Sequence, residues 1–103
     1  MIHYMKILLA ISIFLLSCSN DTQTWKEYYN SGLKKHKNGD YYGAIADYTK
    51  SIELNSNFVY AYWFRGVAKE IMNDRMGACG DYKISAEMGH KGAEAIIWDD
   101  HCK

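Results

Sequence analysis

The chain repeats itself at a fixed distance. Tyr28-Tyr29-Asn30-Ser31-Gly32 matches Tyr62-Trp63-Phe64-Arg65-Gly66, and Asn38-Gly39-Asp40 matches Met72-Asn73-Asp74, each pair offset by 34 residues. The same offset of 34 carries Gly43-Ala44 onto Gly77-Ala78, Asp47-Tyr48 onto Asp81-Tyr82, Ser51 onto Ser85 and Glu53 onto Glu87. A period of this length means that one supersecondary unit has been copied and that neighbouring copies bury each other's apolar faces.

The local pattern inside the unit is helical. Tyr41, Ile45, Tyr48 and Ile52 fall on one face of a helix, and Asp40 is placed to cap its start. Val59, Trp63, Val67 and Ile71 do the same at a spacing of four. The run FVYAYWF has the composition of a buried strand, but its periodic continuation to Ile71 favours a helix covered on several sides. Gly32 and Gly66 each weaken a helix by up to ~1 kcal/mol against Ala, which implies that a packed neighbour needs the space. Gly39, Asn73 and Gly89 suit the left-handed conformation that ends a helix. These signals predict helices over 25–38, 41–54, 58–72, 75–88 and 92–102, the last with Ile96, Ile97 and Trp98 covering the open end of the stack.

The phrase GDYYGAIADYTKSIELN, with the 34-residue period, resembles the second helix of a tetratricopeptide repeat, and the resemblance extends from Trp25 to Gly92. The tail ACGDYKISAEMGHKGAEA leans toward the related Sel1-like repeats. Ser56 and His90 stand where the family often has Pro after the second helix, Ser31 and Arg65 replace a usual leucine, and Gly39 becomes Asn73. The resemblance implies an all-α fold: two helix-turn-helix repeats and a C-terminal capping helix in a short right-handed solenoid. It also implies a concave groove lined by the first helix of each pair. Here the groove would present Tyr29, Asn30 and Leu33 from one unit and Trp63, Phe64 and Val67 from the next. The polar pattern by which some members clamp a peptide carboxylate is not matched, because Tyr29, Leu33 and Phe64 occupy its places. An apolar protein or peptide segment is therefore the expected partner. Against this stands the fact that aromatics at helical spacing usually serve as core.

Ahead of the repeats lies MIHYMKILLAISIFLLSCSN. Lys6 supplies a positive start, Ile7 to Leu16 an apolar run, and Ser17 a small residue before the point of cleavage. Ten residues span about 15 Å as a helix, half of a ~30 Å hydrocarbon core, so a permanent transmembrane helix is not expected. Leu15-Leu16-Ser17-Cys18 resembles the lipobox of bacterial lipoproteins. That resemblance implies cleavage after Ser17 and acylation of Cys18, and two or more acyl chains hold a protein stably on a membrane. Residues 1–17 then form a signal peptide, 18–24 a lipidated tether, and 25–103 the repeat domain. Ser19 after the cysteine resembles lipoproteins sorted to the outer membrane of two-membrane bacteria. An ordinary signal peptide followed by an incidental cysteine is the alternative.

The three cysteines fit this division. With a hairpin turning near His90, Cys79 precedes the turn by about as many residues as Cys102 follows it. The two face each other, and in an oxidising compartment they are expected to form a disulfide, contributing ~3 kcal/mol. Two reduced cysteines that merely pack, or a metal or redox role with His101, are the alternatives.

Composition excludes more than it assigns. Once residues 1–17 are removed, 11 basic residues face 12 acidic ones, so no basic field exists to attract nucleic acid. The chain contains no GxxxxGK[ST], GxSxG or HExxH motif, and no GxGxxG following a strand. No enzyme activity, cofactor or metal site is expected. His36, His90 and His101 fall near helix ends, where they complement the dipole, and Lys34-Lys35-His36-Lys37 reads as a solvated last turn, with contact to anionic headgroups as the alternative. The leading expectation is a membrane-anchored interaction adaptor of the bacterial envelope, and the alternative is a structural envelope-assembly lipoprotein without a dedicated groove.

Overall fold

The structure, a computed structural model, describes residues 23–103. The signal segment and Cys18 lie outside the described residues. Among the described residues five helices follow one another: α1 Trp25–Lys37, α2 Tyr41–Leu54, α3 Val59–Ile71, α4 Arg75–Glu87 and α5 Lys91–Trp98. Among the described residues there is no strand. Each helix packs on its chain neighbours, with a thin contact between α1 and α3.

The turns explain why the pairs are so tight. At the end of α1, Gly39 takes φ 82°, its N–H bonds His36 O at 3.1 Å, and the Asp40 N–H bonds Lys35 O at 2.9 Å. This double closure consumes the orphan carbonyls of the last turn. Asp40 is also the N-cap of α2, accepting from Gly43 N at 3.0 Å, so the residue that closes one helix opens the next. Asn73 (φ 65°) and Asp74 do the same between α3 and α4, and Gly89 (φ 93°) and His90 between α4 and α5. Thr24 and Glu27 form a reciprocal capping box at the start of α1. The N-cap of α3, Phe58, makes no side-chain cap bond. Its ring instead packs on Trp25 and Tyr29, with centroids 4.6 and 4.8 Å apart.

The core alternates tyrosine with very small residues. Tyr48 and Tyr82 are fully buried among Ala44, Ala61, Ala68, Ala78 and Ala93. A Cβ on Gly32 would stand 2.6 Å from Tyr48 Cε1, and one on Gly66 would stand 2.7 Å from Tyr82 Cε1. Each glycine therefore seats the tyrosine of its partner helix. Buried Ser51 donates to Trp25 O at 2.8 Å and Ser85 to Val59 O at 3.5 Å, which holds each pair antiparallel.

The C-terminus departs from expectation. The fifth helix was expected over 92–102 but ends at Trp98, and residues 99–102 turn, with Asp100 at φ 63°. Two acidic side chains at a helix C-terminus oppose its dipole, and Asp tolerates the left-handed conformation. Ile96 and Ile97 pack against Ala78, Tyr82 and Ala93, but Trp98 is 82% exposed and lies outside this core cluster.

Candidate functional site

The same set of contacts is built twice, 34 residues apart. In the first pair Ser31 Oγ donates to Asp47 at 2.6 Å, Lys35 stands 3.0 Å from that carboxylate, and the Tyr48 hydroxyl lies 3.5 Å from His36 Nδ1. In the second pair Arg65 takes the place of Ser31, Lys69 of Lys35, and Glu70 of His36. Arg65 donates to both Asp81 oxygens, at 2.9 and 2.7 Å, and to Thr49 on α2 at 3.2 Å; Lys69 stands 3.0 Å from Asp81. The Asp81 side chain is 3% exposed, so its charge is fully answered by the two cations. The Tyr82 hydroxyl donates to Glu70 at 2.6 Å, and His101 from the C-terminal turn pairs with the other Glu70 oxygen.

These partners explain the titration shifts. Glu70 lies below the usual carboxylate range, chiefly because it accepts the Tyr82 hydroxyl bond, with His101 and Arg75 acting in the same sense against the opposing effect of burial. Tyr48 and Tyr82 are pushed up by burial, and Tyr82 further by the Glu70 carboxylate. Burial lowers His36, whose ring stands edge-on to Tyr41 and Phe64 at 5.2 and 6.3 Å. That placement differs from a surface histidine complementing the dipole.

The six groove residues read from the sequence do not all face outward alike. Asn30 is exposed and Leu33 half-buried. Tyr29 is half-buried against Phe58, Tyr48 and Phe64, and burial raises its pKa. Trp63 stacks on His90 at 4.4 Å and contacts Tyr82 at 5.2 Å, and Val67 packs against the core around Ala78. Phe64 touches Tyr29, His36 and Tyr48 at 6.2 to 6.3 Å. On α3 the positions 60, 64, 67 and 71 form one apolar stripe, Tyr60, Phe64, Val67 and Ile71, of which Tyr60 and Ile71 are 48% and 46% exposed. Beside it α1 carries Lys26, Asn30, Leu33 and Lys37 at the equivalent positions.

One surface hollow, of about 310 Å³, is lined by Tyr60 of this stripe with Met88 and His90, and others lie away from it. One of about 430 Å³ opens over Cys79 and Cys102 and is rimmed by Arg75, Met76, Lys83 and His101. One of about 370 Å³ lies between α4 and α5 under Ile97 and Trp98. The Cys79 and Cys102 sulfurs stand 2.11 Å apart with Cα atoms 5.4 Å apart, a disulfide pairing, and Arg75 Nε donates to the neighbouring His101 carbonyl at 3.0 Å. Among the described residues no group of three or more His, Cys, Asp and Glu side chains could hold a metal ion, and no helix is long and apolar enough to cross a membrane.

Sequence reasoning missed the Arg65–Asp81–Lys69 cluster and the Glu70–Tyr82–His101 chain. The signal was present in the offset: Asp47-Tyr48 recurs as Asp81-Tyr82, and what faces each recurring pair had only to be read from the partner helix. The described residues form an all-helical fold whose helices pack in adjacent pairs. No protein-family model matches the chain, and no curated protein matches it.

Proposed function

We propose that the chain is a lipid-anchored helical-repeat protein of the bacterial cell envelope, of the tetratricopeptide type, which holds an apolar protein or peptide segment and catalyses no reaction. The observation that carries the reading is the α3 stripe of Phe64, Val67 and Ile71 with Asn30 and Leu33 alongside on α1. An apolar strip bordered by an amide and by lysines suits an amphipathic segment laid across two helices. The surface is small, so binding through it alone is weak and the protein acts as one piece of an assembly. The lipobox-like Leu15-Leu16-Ser17-Cys18 supports anchoring, and Ser19 supports the outer membrane as its site.

The test is in-cell crosslinking from a photoreactive residue at Asn30, Leu33 or Val67, with exposed Ala46 on α2 as control. A protein adduct from the first three and none from Ala46 is the expected result. Absence of an adduct from all three, or equal capture from Ala46, overturns the groove.

The internal packing of Tyr29, Trp63 and Phe64 favours a second reading, an envelope-assembly lipoprotein whose repeats serve mainly as structure. Under that reading the cellular phenotype survives Asn30→Glu, a change at an exposed position of the groove, and is lost with Cys18→Ala.

A further inference from the structure

One edge of the helical layer gathers the start of α1, the end of α2, the start of α3, the end of α4 and the start of α5. The bonds of Ser51 to Trp25 O and Ser85 to Val59 O fix this arrangement. Rings run along the edge: Trp25 against Phe58 at 4.6 Å, Phe58 against Tyr60 at 5.7 Å, and Tyr60 against His90 at 5.8 Å. Three apolar side chains there face solvent, Leu54 (51% exposed), Tyr60 (48%) and Met88 (37%). Lys26 and Lys91 are exposed beside them, as are Glu27, Glu53 and Glu87, so the edge carries no excess of positive charge. The chain enters the fold at this same edge, through Gln23 and Thr24.

We infer that this edge seats on the lipid bilayer, so that the helices stand upright on the membrane and the α1/α3 face looks along it. The inference rests on the anchoring of Cys18 proposed above. Leu54 and Met88 enter the interface, and Tyr60 sits at headgroup level where an amphipathic ring is favoured.

Chain length alone selects this edge over the opposite one, which also exposes apolar groups at Tyr42, Ile71 and Met76 and carries exposed Lys34 and Lys37. Trp25 follows Cys18 by seven residues, a contour of at most ~25 Å. The 13 residues of α1 measure about 20 Å. The far edge therefore reaches the bilayer only if the tether is drawn back along the helix at nearly full stretch, whereas the near edge reaches it at any extension. Three half-exposed side chains bind lipid weakly by themselves. The acyl anchor makes the contact intramolecular, and a weak surface then suffices to set the orientation.

The experiment places a photoreactive residue at position 54, 60 or 88, and for comparison at 42 or 76, in the full chain expressed in bacteria. Membranes are irradiated and the intact mass of the extracted protein is read. The expected spectrum shows a chain beginning at an acylated Cys18, with phospholipid adducts several-fold more abundant from 54, 60 and 88 than from 42 and 76. An acylated chain with equal or no phospholipid adducts from the two edges overturns the orientation while leaving the anchor standing. Acylated protein whose near edge crosslinks to another protein also overturns it and makes that edge a protein-docking surface. A mass without acyl groups overturns the anchor and the orientation together.

Discussion

Tyr82 occupies the space a side chain at Gly66 would need: its Cε1 lies 2.7 Å from the position of a Cβ there, with Cδ1 at 2.9 Å and Ala78 O at 3.3 Å. The ring is 1% exposed and has nowhere to move. Gly66→Ala gains up to ~1 kcal/mol of helix propensity but overpacks a buried interface at a cost of about 1–3 kcal/mol. A net loss of roughly 1–2 kcal/mol is expected in urea denaturation. Gly80 on α4 has nothing within 4 Å of its Cβ position, so Gly80→Ala is expected to stabilise by about 0.5–1 kcal/mol. Stabilisation by Gly66→Ala would show that the glycine–tyrosine seat does not determine the helix spacing.

Asp81→Asn strands two cations at one site, because Arg65 and Lys69 both point at a side chain that is 3% exposed. The expected loss is about 3 kcal/mol or more, the cost of leaving buried charge unanswered. Asp47→Asn faces one lysine that is 42% exposed, and is expected to lose about 1 kcal/mol. Paired denaturation curves measure the difference, and equal losses would refute it.

Acid weakens the fold in two steps. His36 is held below its ordinary 6.5 by burial, so the folded state binds fewer protons than the unfolded chain. Its contribution is complete above about pH 6.5 and is lost as pH falls from there through its folded value. Glu70 is depressed below 4.5 chiefly by the Tyr82 hydroxyl. Its contribution is present above about pH 4.5 and is lost below that as the carboxylate protonates. His36→Phe is expected to remove the first step and Glu70→Gln the second, read as stability against pH in urea. An upper step that persists in His36→Phe contradicts the assignment.

The Cys79–Cys102 link ties α4 to the C-terminal turn across 23 residues. Reducing it is expected to cost ~3 kcal/mol and to lower Tm by more than ~10 °C, since the domain is small. A thermal scan with and without reductant measures this. An unchanged Tm would mean that packing of Ile96, Ile97 and Ala93 holds the last helix unaided.

Four of the five helices lie within a residue of their expected bounds, because the residues that cap and close them speak locally. Asp40 and Asp74 cap, and Gly39, Asn73 and Gly89 close, through bonds to their own backbone neighbours. The seating of Tyr48 and Tyr82 over glycine was half legible: the need for space was readable, but not what filled it. The end of α5 was not, because its termination depends on the clash of Asp99 and Asp100 with the dipole and on a tail held by Arg75 and Cys79 across the hairpin. Nor did helical periodicity separate groove from core at Trp63. A ring at that spacing serves either role until His90 is seen stacked upon it. The ion cluster at Asp81 joins residues 16 apart on different helices, and only the register between α3 and α4 brings them together.

The location and bracing of the protein meet in one measurement, the intact mass of the chain extracted from the membrane fraction, before and after reduction and thiol alkylation. The expected protein begins at Cys18, carries the mass of its acyl chains, and gains two alkyl groups only after reduction. A mass without acyl groups, in which Cys18 takes up alkyl label before any reductant is added, would contradict the anchored, stapled repeat domain.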